Sequence, residues 1–242
     1  MKKVENVEIK ESWEEFYRRY YKNQIGRLAQ GETESLTVDF MDIEQYDPEF
    51  ADDLILHPEE ILDAAEEALA DLDVGEGVTL EGTSVRVSNF KYLTDLPDLQ
   101  SDDVNKLVGV EGIVYEATEP HLKMTKGTFQ CQRCGSITNV NQPRGEFEEP
   151  HQCRGCERKG PFEILEEGSD FVSSQRVRVQ GISETEKIDV RLEGDVTGGV
   201  RPGDKVKATG ILRATRQDSS NKFLVHIEGV NIERTPTEES FN

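Results

Sequence analysis

All four cysteines of the 242-residue chain fall into one pattern, in which two Cys-x-x-Cys pairs are separated by 18 residues. Cys131 and Cys134 form the first pair, and Cys153 and Cys156 form the second. Two such pairs can direct four thiolates at one ion and complete a tetrahedral site that suits Zn2+. Two disulfides, which a reducing cytoplasm disfavours, or a redox-active pair are the alternatives. Because four thiolates leave no open position, the spacing predicts one structural zinc ion per chain.

Residues beside the two cysteine pairs bear on the same site. Gly135 follows the first pair and Gly155 lies inside the second, and we expect both to supply the backbone freedom that tight metal-binding turns need. His151 lies two residues before Cys153 and could compete as a ligand. Since four cysteines already suffice for zinc, the sequence favours coordination by cysteine alone.

A second group of candidate binding residues lies closer to the C-terminal end. Between residues 211 and 227, Arg213, Arg216 and Lys222 stand against one acid, Asp218. Residues 217–221 (QDSSN) are turn formers between strand-like runs, which predicts a hairpin with basic flanks suited to phosphate contacts. An ordinary exposed hairpin explains the same pattern equally well.

The chain is strongly acidic, with 28 Lys and Arg against 49 Asp and Glu and a net charge of -21. That charge argues against binding nucleic acid through bulk charge, so any such site must be a local cluster of cations. Lys123 and Lys126, just before the cysteine segment, are further candidates, although simple solubility also explains them.

The acids are concentrated in one segment, because residues 32–85 hold 18 Asp and Glu and no Lys or Arg. That segment carries -18, so the remainder carries only -3. We favour a solvated helical surface, typical of a protein from a salty cytoplasm. The alternative is a face that repels DNA or docks a partner.

Motifs for catalysis are missing from the sequence. It contains neither the G-x-x-x-x-G-K-[ST] phosphate loop nor the G-x-S-x-G elbow, and its 4 histidines are scattered. We therefore expect no catalysis by this chain. No apolar run of about 18 residues and no secretory signal is present, so we expect a cytoplasmic protein without a membrane span.

The first 72 residues predict helices and one short strand. Ser12 and Glu15 form a capping box that predicts a helix start, and Gly31 ends that helix. Residues 36–40 alternate like a strand, and the prolines at 48 and 58 each open a further helix, through about residue 56 and residue 72. The aromatic and apolar residues at helical spacing predict a bundle core.

From about residue 78 the apolar period changes to two, which predicts strands. The strand-like runs are residues 85–87, 107–115, 175–182, 188–192, 205–212 and 223–232. About five short strands separated by glycine-rich turns suggest a small barrel or sandwich. The polar tail, residues 235–242, is typical of a linker.

Several stretches of the chain carry a common pattern: residues 16–26, 104–114 (VNKLVGVEGIV), 129–135 (FQCQRCG), 149–153 (EPHQC), 160–162 (GPF), 175–180 (QRVRVQ) and 200–206 (VRPGDKV) with 210–212 (GIL). With the cysteine spacing, these stretches resemble the N-terminal region of an archaeal minichromosome maintenance (MCM) replicative helicase. Together they extend over most of the chain. The acidity and the EPH before the second cysteine pair are most similar to haloarchaeal, halophilic members.

The resemblance implies an α+β, mainly β fold in three parts. An acidic helical bundle covers residues 1–102, and an OB-fold barrel covers residues 103–126 and 166–234. A zinc ribbon, residues 127–165, interrupts the barrel, and residues 235–242 are a linker or tail. The implied assembly is a hexameric or double-hexameric ring around single-stranded or double-stranded DNA. The hairpin with Arg213, Arg216 and Lys222 would face the channel, assisted by Lys123, Lys126 and Arg178.

The function this implies is that of a DNA-binding collar in DNA replication, without the AAA+ ATPase half of the parent ATP-dependent helicase. The segment between residues 181 and 187 is shorter than the family's usual loop, and Glu116 and His121 stand where relatives place cations. These departures favour an alternative, in which the chain is a shortened relative that acts as a structural or regulatory partner of full-length MCM.

Overall fold

The computed structural model describes residues 2–75, 77–142, 147–182, 186–217 and 221–235, with side chains from residue 7 onward. The predicted turn centre at residues 218–220 and nearly all of the predicted tail lie outside these ranges. Two compact units are present: residues 1–118 with 176–242, and residues 119–175. Within the described residues, no helix is both long and apolar enough to cross a membrane.

The N-terminal part of the first unit is helical. Helix α1 is Lys2–Phe16, a π-helical turn Tyr17–Tyr21 continues it, and α2 is Lys22–Ala29; α3 is Phe40–Tyr46, α4 is Pro48–Leu56 and α5 is Pro58–Ala70. Two short strands, β1 (Ser35–Asp39) and β2 (Ser84–Ser88), pair in parallel. The aromatic stripe forms the predicted core, since Trp13, Phe16 and Tyr17 are all fully buried.

Polar atoms of that aromatic core find partners on α5. The Trp13 indole donates to the Ile61 carbonyl at 2.9 Å, and the Tyr17 hydroxyl donates to the Ala65 carbonyl at 3.0 Å. Buried Trp and Tyr need such partners because an unpaired polar atom in a core is costly. These two bonds fix α1 against α5.

The predicted helix start at Ser12 is wrong. Ser12 lies inside α1, and its hydroxyl donates to the Glu8 carbonyl one turn earlier at 3.0 Å. The start of α4 agrees with the prediction, because the Asp47 carboxylate accepts from the Glu49 and Phe50 amides ahead of Pro48. Helix α3 was not predicted from the sequence.

Five strands of the first unit close into a barrel. They are β3 (Leu107–Ala117), the C-terminal part of β6 (Phe162–Gly181), β7 (Lys187–Glu193), β8 (Lys205–Arg216) and β9 (Phe223–Arg234). The strand order is β3-β8-β9-β7-β6, and β6 pairs with β3 to complete the circle. Alternate apolar residues of these strands fill the interior, which is the second core of the unit. The α+β, mainly β fold is confirmed.

Close packing between barrel strands explains two glycines. A Cβ on Gly112 would lie 2.2 Å from the Gln180 carbonyl oxygen, and one on Gly210 would lie 2.2 Å from the Glu228 carbonyl oxygen. Only glycine lets the backbones approach this closely.

The second unit is a three-stranded antiparallel sheet. Strand β4 (His121–Cys131) pairs with β5 (Ile137–Asn141) on one side and with the N-terminal part of β6 on the other. The sequence left the segment with Lys123 and Lys126 open as strand or loop, and the structure shows that it is strand β4, whereas β5 was not predicted. Pairing of β4 with β6 extends from residue 121, so the compact unit begins before residue 127, while the predicted domain boundaries stay a prediction.

Candidate metal centre and nucleic-acid interface

The four cysteines converge in the second unit. Their Sγ atoms all lie within 4.8 Å of one another. Cys131 and Cys156 are 3.8 Å apart at sulfur, and Cys134 and Cys153 are 3.5 Å apart. These separations are too long for disulfide bonds, about 2.05 Å, and match the edge of a tetrahedron with Zn–S bonds of about 2.3 Å. The residues therefore fit a four-sulfur metal site.

The backbone builds both cysteine turns in the same way. In the first turn the Gly135 amide donates to the Cys131 carbonyl, and the Cys131 amide donates to the Ser136 carbonyl. The second turn repeats this pattern with equivalent positions: the Glu157 amide donates to the Cys153 carbonyl, and the Cys153 amide donates to the Arg158 carbonyl. Two equivalent turns hold each pair of thiols toward a common point.

The roles predicted for the two glycines differ in the structure. Gly135 has φ +75°, as expected, but the equivalent left-handed residue of the second turn is Glu157, with φ +57°. At Gly155 a larger side chain would not fit, since a Cβ there would lie 2.0 Å from the Ser136 hydroxyl. His151 is exposed and does not belong to the metal-ligating group found among the described residues.

Hydrogen bonds favour thiolates at the first pair. The hydrogen bond between the Cys134 thiol and the Ser136 hydroxyl, and then the one from the Ser136 amide, lower the pKa of Cys134 to about 6. The backbone amides of Arg133 and Cys134 lower the pKa of Cys131. Because the thiolate is the form that binds metal, these bonds favour the metal-binding form of Cys131 and Cys134.

The predicted basic hairpin is formed by β8 and β9. The strands stay paired as far as Arg216 opposite Phe223, and the Gln217 amide donates to the Lys222 carbonyl at 2.8 Å. Beyond Arg213 both faces of the hairpin are open: Ala214, Thr215 and Arg216 are exposed on β8, and residues 223–225 are 50–59% exposed on β9. The hairpin thus extends past the barrel, with Arg216 and Lys222 near its end.

Arg213 lies at the base of this hairpin and faces acids rather than solvent. Its guanidinium bonds the Glu228 carboxylate at 2.9 Å, the Asn105 side chain at 3.0 Å and the Glu59 carboxylate at 3.0 Å. Partial burial lowers the pKa of Arg213, but the bonds to Glu228 and Glu59 outweigh it and raise the pKa overall. The residue therefore links α5 to the barrel and is less available to a phosphate than the sequence suggested.

Arg178 also has internal partners. On the outer face of the barrel its guanidinium bonds Asp189 at 2.7 Å and Glu116 at 3.4 Å, and Arg176 pairs with the same two carboxylates at 3.7 and 3.2 Å. The four charges of this cluster cancel. Lys123 and Lys126 lie on β4 in the second unit, where Lys126 is 3.7 Å from the Asp170 carboxylate.

Sequence reasoning did not identify three further outward-facing residues of the barrel: Tyr115, Lys187 and Arg191. All three are exposed. The alternation of β7, in which Lys187, Asp189 and Arg191 flank buried Ile188 and Val190, is the signal that could have found the two cations.

A closed five-stranded barrel whose chain makes a four-cysteine excursion between two strands, preceded by a helical subdomain, defines an OB-fold protein with an inserted metal-binding ribbon. The chain belongs to the MCM family. The family model for the MCM N-terminal domain matches residues 9–104, and that for the MCM OB domain matches residues 95–216. The resemblance to the MCM family that the sequence predicted is confirmed, while the similarity to haloarchaeal members stays a prediction.

Relatives and a solved structure agree with this assignment. The chain is 27% identical to the minichromosome maintenance protein MCM of Saccharolobus solfataricus, over 84% of this chain and 32% of that protein. It is 24% identical to DNA replication licensing factor MCM4 of Arabidopsis thaliana, over 86% of this chain and 26% of that protein. The chain thus spans about a third or less of these relatives.

The fold is similar to the 1.8 Å crystal structure of the N-terminal domain of an archaeal MCM. The TM-score is 0.81 at 27% identity, with 96% of this chain and 100% of that chain covered.

Proposed function

We propose that this chain is the DNA-binding, ring-forming N-terminal collar of an MCM replicative helicase, with no catalysis of its own. The observation that carries the proposal is the β8–β9 hairpin, which extends past the barrel with Arg216 and Lys222 exposed near its end. Membership of the MCM family supports a role in DNA replication. Six such chains in a ring, or two stacked rings, would bring the hairpins to a central channel around DNA.

Arg216 and Lys222 are the residues that we expect to hold phosphates, because both are exposed near the end of the hairpin. Arg213 and Arg178 are bound to carboxylates, and Lys126 faces Asp170. Each phosphate neutralised by a cation releases counterions, so binding should weaken steeply with salt.

Fluorescence anisotropy with a labelled oligonucleotide, repeated over a salt series, tests the hairpin. Arg216→Ala combined with Lys222→Ala should weaken binding and reduce the salt slope by about 1.4 for single-stranded DNA, at about 0.7 per lost contact. Lys22→Ala with Arg27→Ala, on α2, removes the same charge from another surface and should change neither quantity. Equal behaviour of the two double variants would contradict the hairpin assignment.

We propose that the cysteine site holds one structural zinc ion. The equivalent turns around Cys131 and Cys153 and the tetrahedral spacing of the sulfurs support it. Zinc bound there would supply no chemistry beyond holding the ribbon together, because all four ligands are protein sulfurs.

A second candidate function has its own support. The internal pairing of Arg178 and Arg213, together with only five residues between β6 and β7, favours a regulatory partner that assembles with full-length MCM and touches DNA little. Light scattering on a mixture with a full-length MCM separates the two: a mixed particle without DNA binding supports the partner role, and self-association with salt-dependent DNA binding supports the collar.

A further inference from the structure

The base of the hairpin carries an ion pair that joins the helical subdomain to the barrel. Each guanidinium nitrogen of Arg213 has its own partner: Nε bonds Glu228 at 2.9 Å, Nη1 bonds Asn105 at 3.0 Å and Nη2 bonds Glu59 at 3.0 Å. Glu228 lies on β9 and Asn105 lies just before β3, whereas Glu59 lies in the first turn of α5. One of the three partners therefore comes from the acidic segment.

The two barrel partners are held in place by the backbone. Glu228 lies within the paired part of β9. The Asn105 amide donates to the Leu212 carbonyl at 2.7 Å, and the Leu212 amide donates to the Lys106 carbonyl at 3.0 Å. These bonds keep two acceptors beside Arg213 whatever the position of the α5 carboxylate.

Glu59 is the partner that another anion can replace. Its side chain is 53% exposed, against 24% for Glu228. An exposed ion pair is weak, because water and salt compete for both charges. A phosphate oxygen accepts from a guanidinium as a carboxylate does, often through two parallel bonds. Phosphate can therefore take the place of Glu59 without disturbing the barrel partners.

A cavity of about 590 Å³ opens beside the pair, and Arg213 forms part of its wall. Four carboxylates of α5 also line it: Glu59, Glu60, Asp63 and Glu67. The guanidinium can thus be reached from outside, but only past acids that repel phosphate. Arg213 lies three residues, about 10 Å of strand, from Arg216. DNA held at the hairpin end therefore passes close to this cavity.

We infer that Glu59 is an autoinhibitory carboxylate, which occupies Arg213 until a DNA phosphate displaces it. The inference rests on the proposed DNA-binding function and assigns Arg213 as a third phosphate contact, available only after this exchange. The exchange moves one side chain. The helical subdomain stays in place, because the Arg86–Asp195 pair and a shared apolar core that includes Leu107 still join it to the barrel.

The exchange favours DNA over small anions. A strand already held by Arg216 and Lys222 presents its next phosphates at a high effective concentration, which a free phosphate ion does not have. The contact with Glu59 therefore lets Arg213 respond to an extended polyanion rather than to a single phosphate.

Fluorescence anisotropy with a labelled single-stranded oligonucleotide and the whole chain tests the exchange. Glu59→Ala removes the competitor and should tighten binding by up to about fivefold, the factor that corresponds to one exposed ion pair. Glu60→Ala is the matched control, because Glu60 lies in the same turn and lines the same cavity without being one of the three guanidinium partners. It should tighten binding clearly less, through weaker repulsion alone.

A double-mutant cycle separates occupation of Arg213 from general repulsion. Arg213→Ala should lower the salt slope by up to about 0.7, which is one phosphate contact on a single strand. In that background Glu59→Ala should gain no more than Glu60→Ala does, because the masked cation is gone. Circular dichroism and the elution volume check the fold and assembly of each variant. If Arg213→Ala does not fold, the comparison of Glu59→Ala with Glu60→Ala is sufficient by itself.

The outcomes separate this inference from the proposed function. Equal gains for Glu59→Ala and Glu60→Ala, or a gain of Glu59→Ala that persists in the Arg213→Ala background, would overturn the autoinhibitory role. If either occurs while the Arg216 and Lys222 double variant binds weakly, the collar proposal stands. If neither wild-type protein nor Glu59→Ala binds DNA, both are overturned.

Discussion

Removal of the carboxylate of Asp195 should be among the most destabilising single changes at the surface of the barrel. Asp195 follows β7 and receives two bonds from the Arg86 guanidinium, at 2.7 and 3.1 Å, and one from the Ser35 hydroxyl at 2.5 Å. The Arg86 side chain is 9% exposed and also bonds the Glu193 and Val230 carbonyls. The pair thus joins β2 and β1 to the barrel through a nearly buried charge.

The loss of unfolding free energy in Asp195→Ala depends on which hydrogen-bond acceptors Arg86 retains. Breaking a buried ion pair by deleting one partner costs about 3–5 kcal/mol, because the other charge stays buried. Arg86 retains two carbonyl acceptors and the Asp195 side chain is 26% exposed, so we expect the lower end, about 3 kcal/mol. Asp195→Asn keeps an oxygen acceptor but loses the charge, and should cost about 1.5–2 kcal/mol.

The shifted pKa of Asp195 makes the stability difference between wild type and variant depend on pH. Partial burial raises this pKa, but the bond from Ser35 and the charge of Arg86 outweigh the burial and lower it overall. A carboxyl whose pKa is lower in the folded state stabilises the protein above its unfolded pKa, about 3.9, and loses that contribution as the pH falls through the folded value. The stability gap between wild type and Asp195→Asn should therefore be constant from about pH 5 to 7 and narrow below about pH 4.

Urea denaturation followed by circular dichroism measures both effects. Glu32→Gln, which removes a carboxylate from an exposed pair with Arg27, is the matched control and should leave the free energy of unfolding nearly unchanged. A loss below about 1 kcal/mol in Asp195→Ala, or a gap that persists at pH 3, would refute the buried-pair reasoning.

Three further predictions concern the ribbon, the hairpin base and the glycines. Elemental analysis should find about one zinc ion per wild-type chain and a clear loss in Cys134→Ser, and a zinc-free, fully folded wild type would contradict the site. Arg213→Ala should lower the free energy of unfolding by about 1.5–3 kcal/mol through its lost charged hydrogen bonds, whereas exposed Arg216→Ala should change it little. In urea titrations Gly210→Ala should destabilise by at least about 2 kcal/mol through its carbonyl clash. Helical Gly26, with no atom within 4 Å of an added Cβ, should instead gain up to about 1 kcal/mol on change to Ala.

Local signals explain which parts of the fold could be predicted. Helices α4 and α5 begin at Pro48 and Pro58, where the proline and nearby acids determine the start within one turn of chain. The capping box at Ser12 failed because the same residue types also occur inside helices, and the turn before Ser12 is helical too. Helix α3 escaped prediction because its 7 residues follow a strand directly and hold too few turns for a periodic pattern.

The cysteine site could also be predicted from local signals, whereas the partners of the basic residues could not. Both cysteine turns are complete within six residues, so spacing alone brings the thiols together in pairs. The partners of Arg213 and Arg178 include Glu59 and Glu116, which are distant in sequence and reach them only through the tertiary fold. A list of basic residues in the sequence therefore overstates the number available to DNA.

The acidic segment acquires a more specific role than a solvated surface. Several of its carboxylates anchor the helical subdomain: Glu59 bonds Arg213, Asp42 accepts from the Tyr21 hydroxyl and Glu44 pairs with Lys91. Each of these acids engages a group outside the segment, which contains no Lys or Arg of its own. The bonds of Asp42 and Glu44 hold the helical subdomain together internally, and Glu59 ties it to the barrel through Arg213, which is thereby less available to phosphate. DNA binding by a chain of charge -21 therefore depends on which cations the carboxylates already engage as well as on how many cations are present.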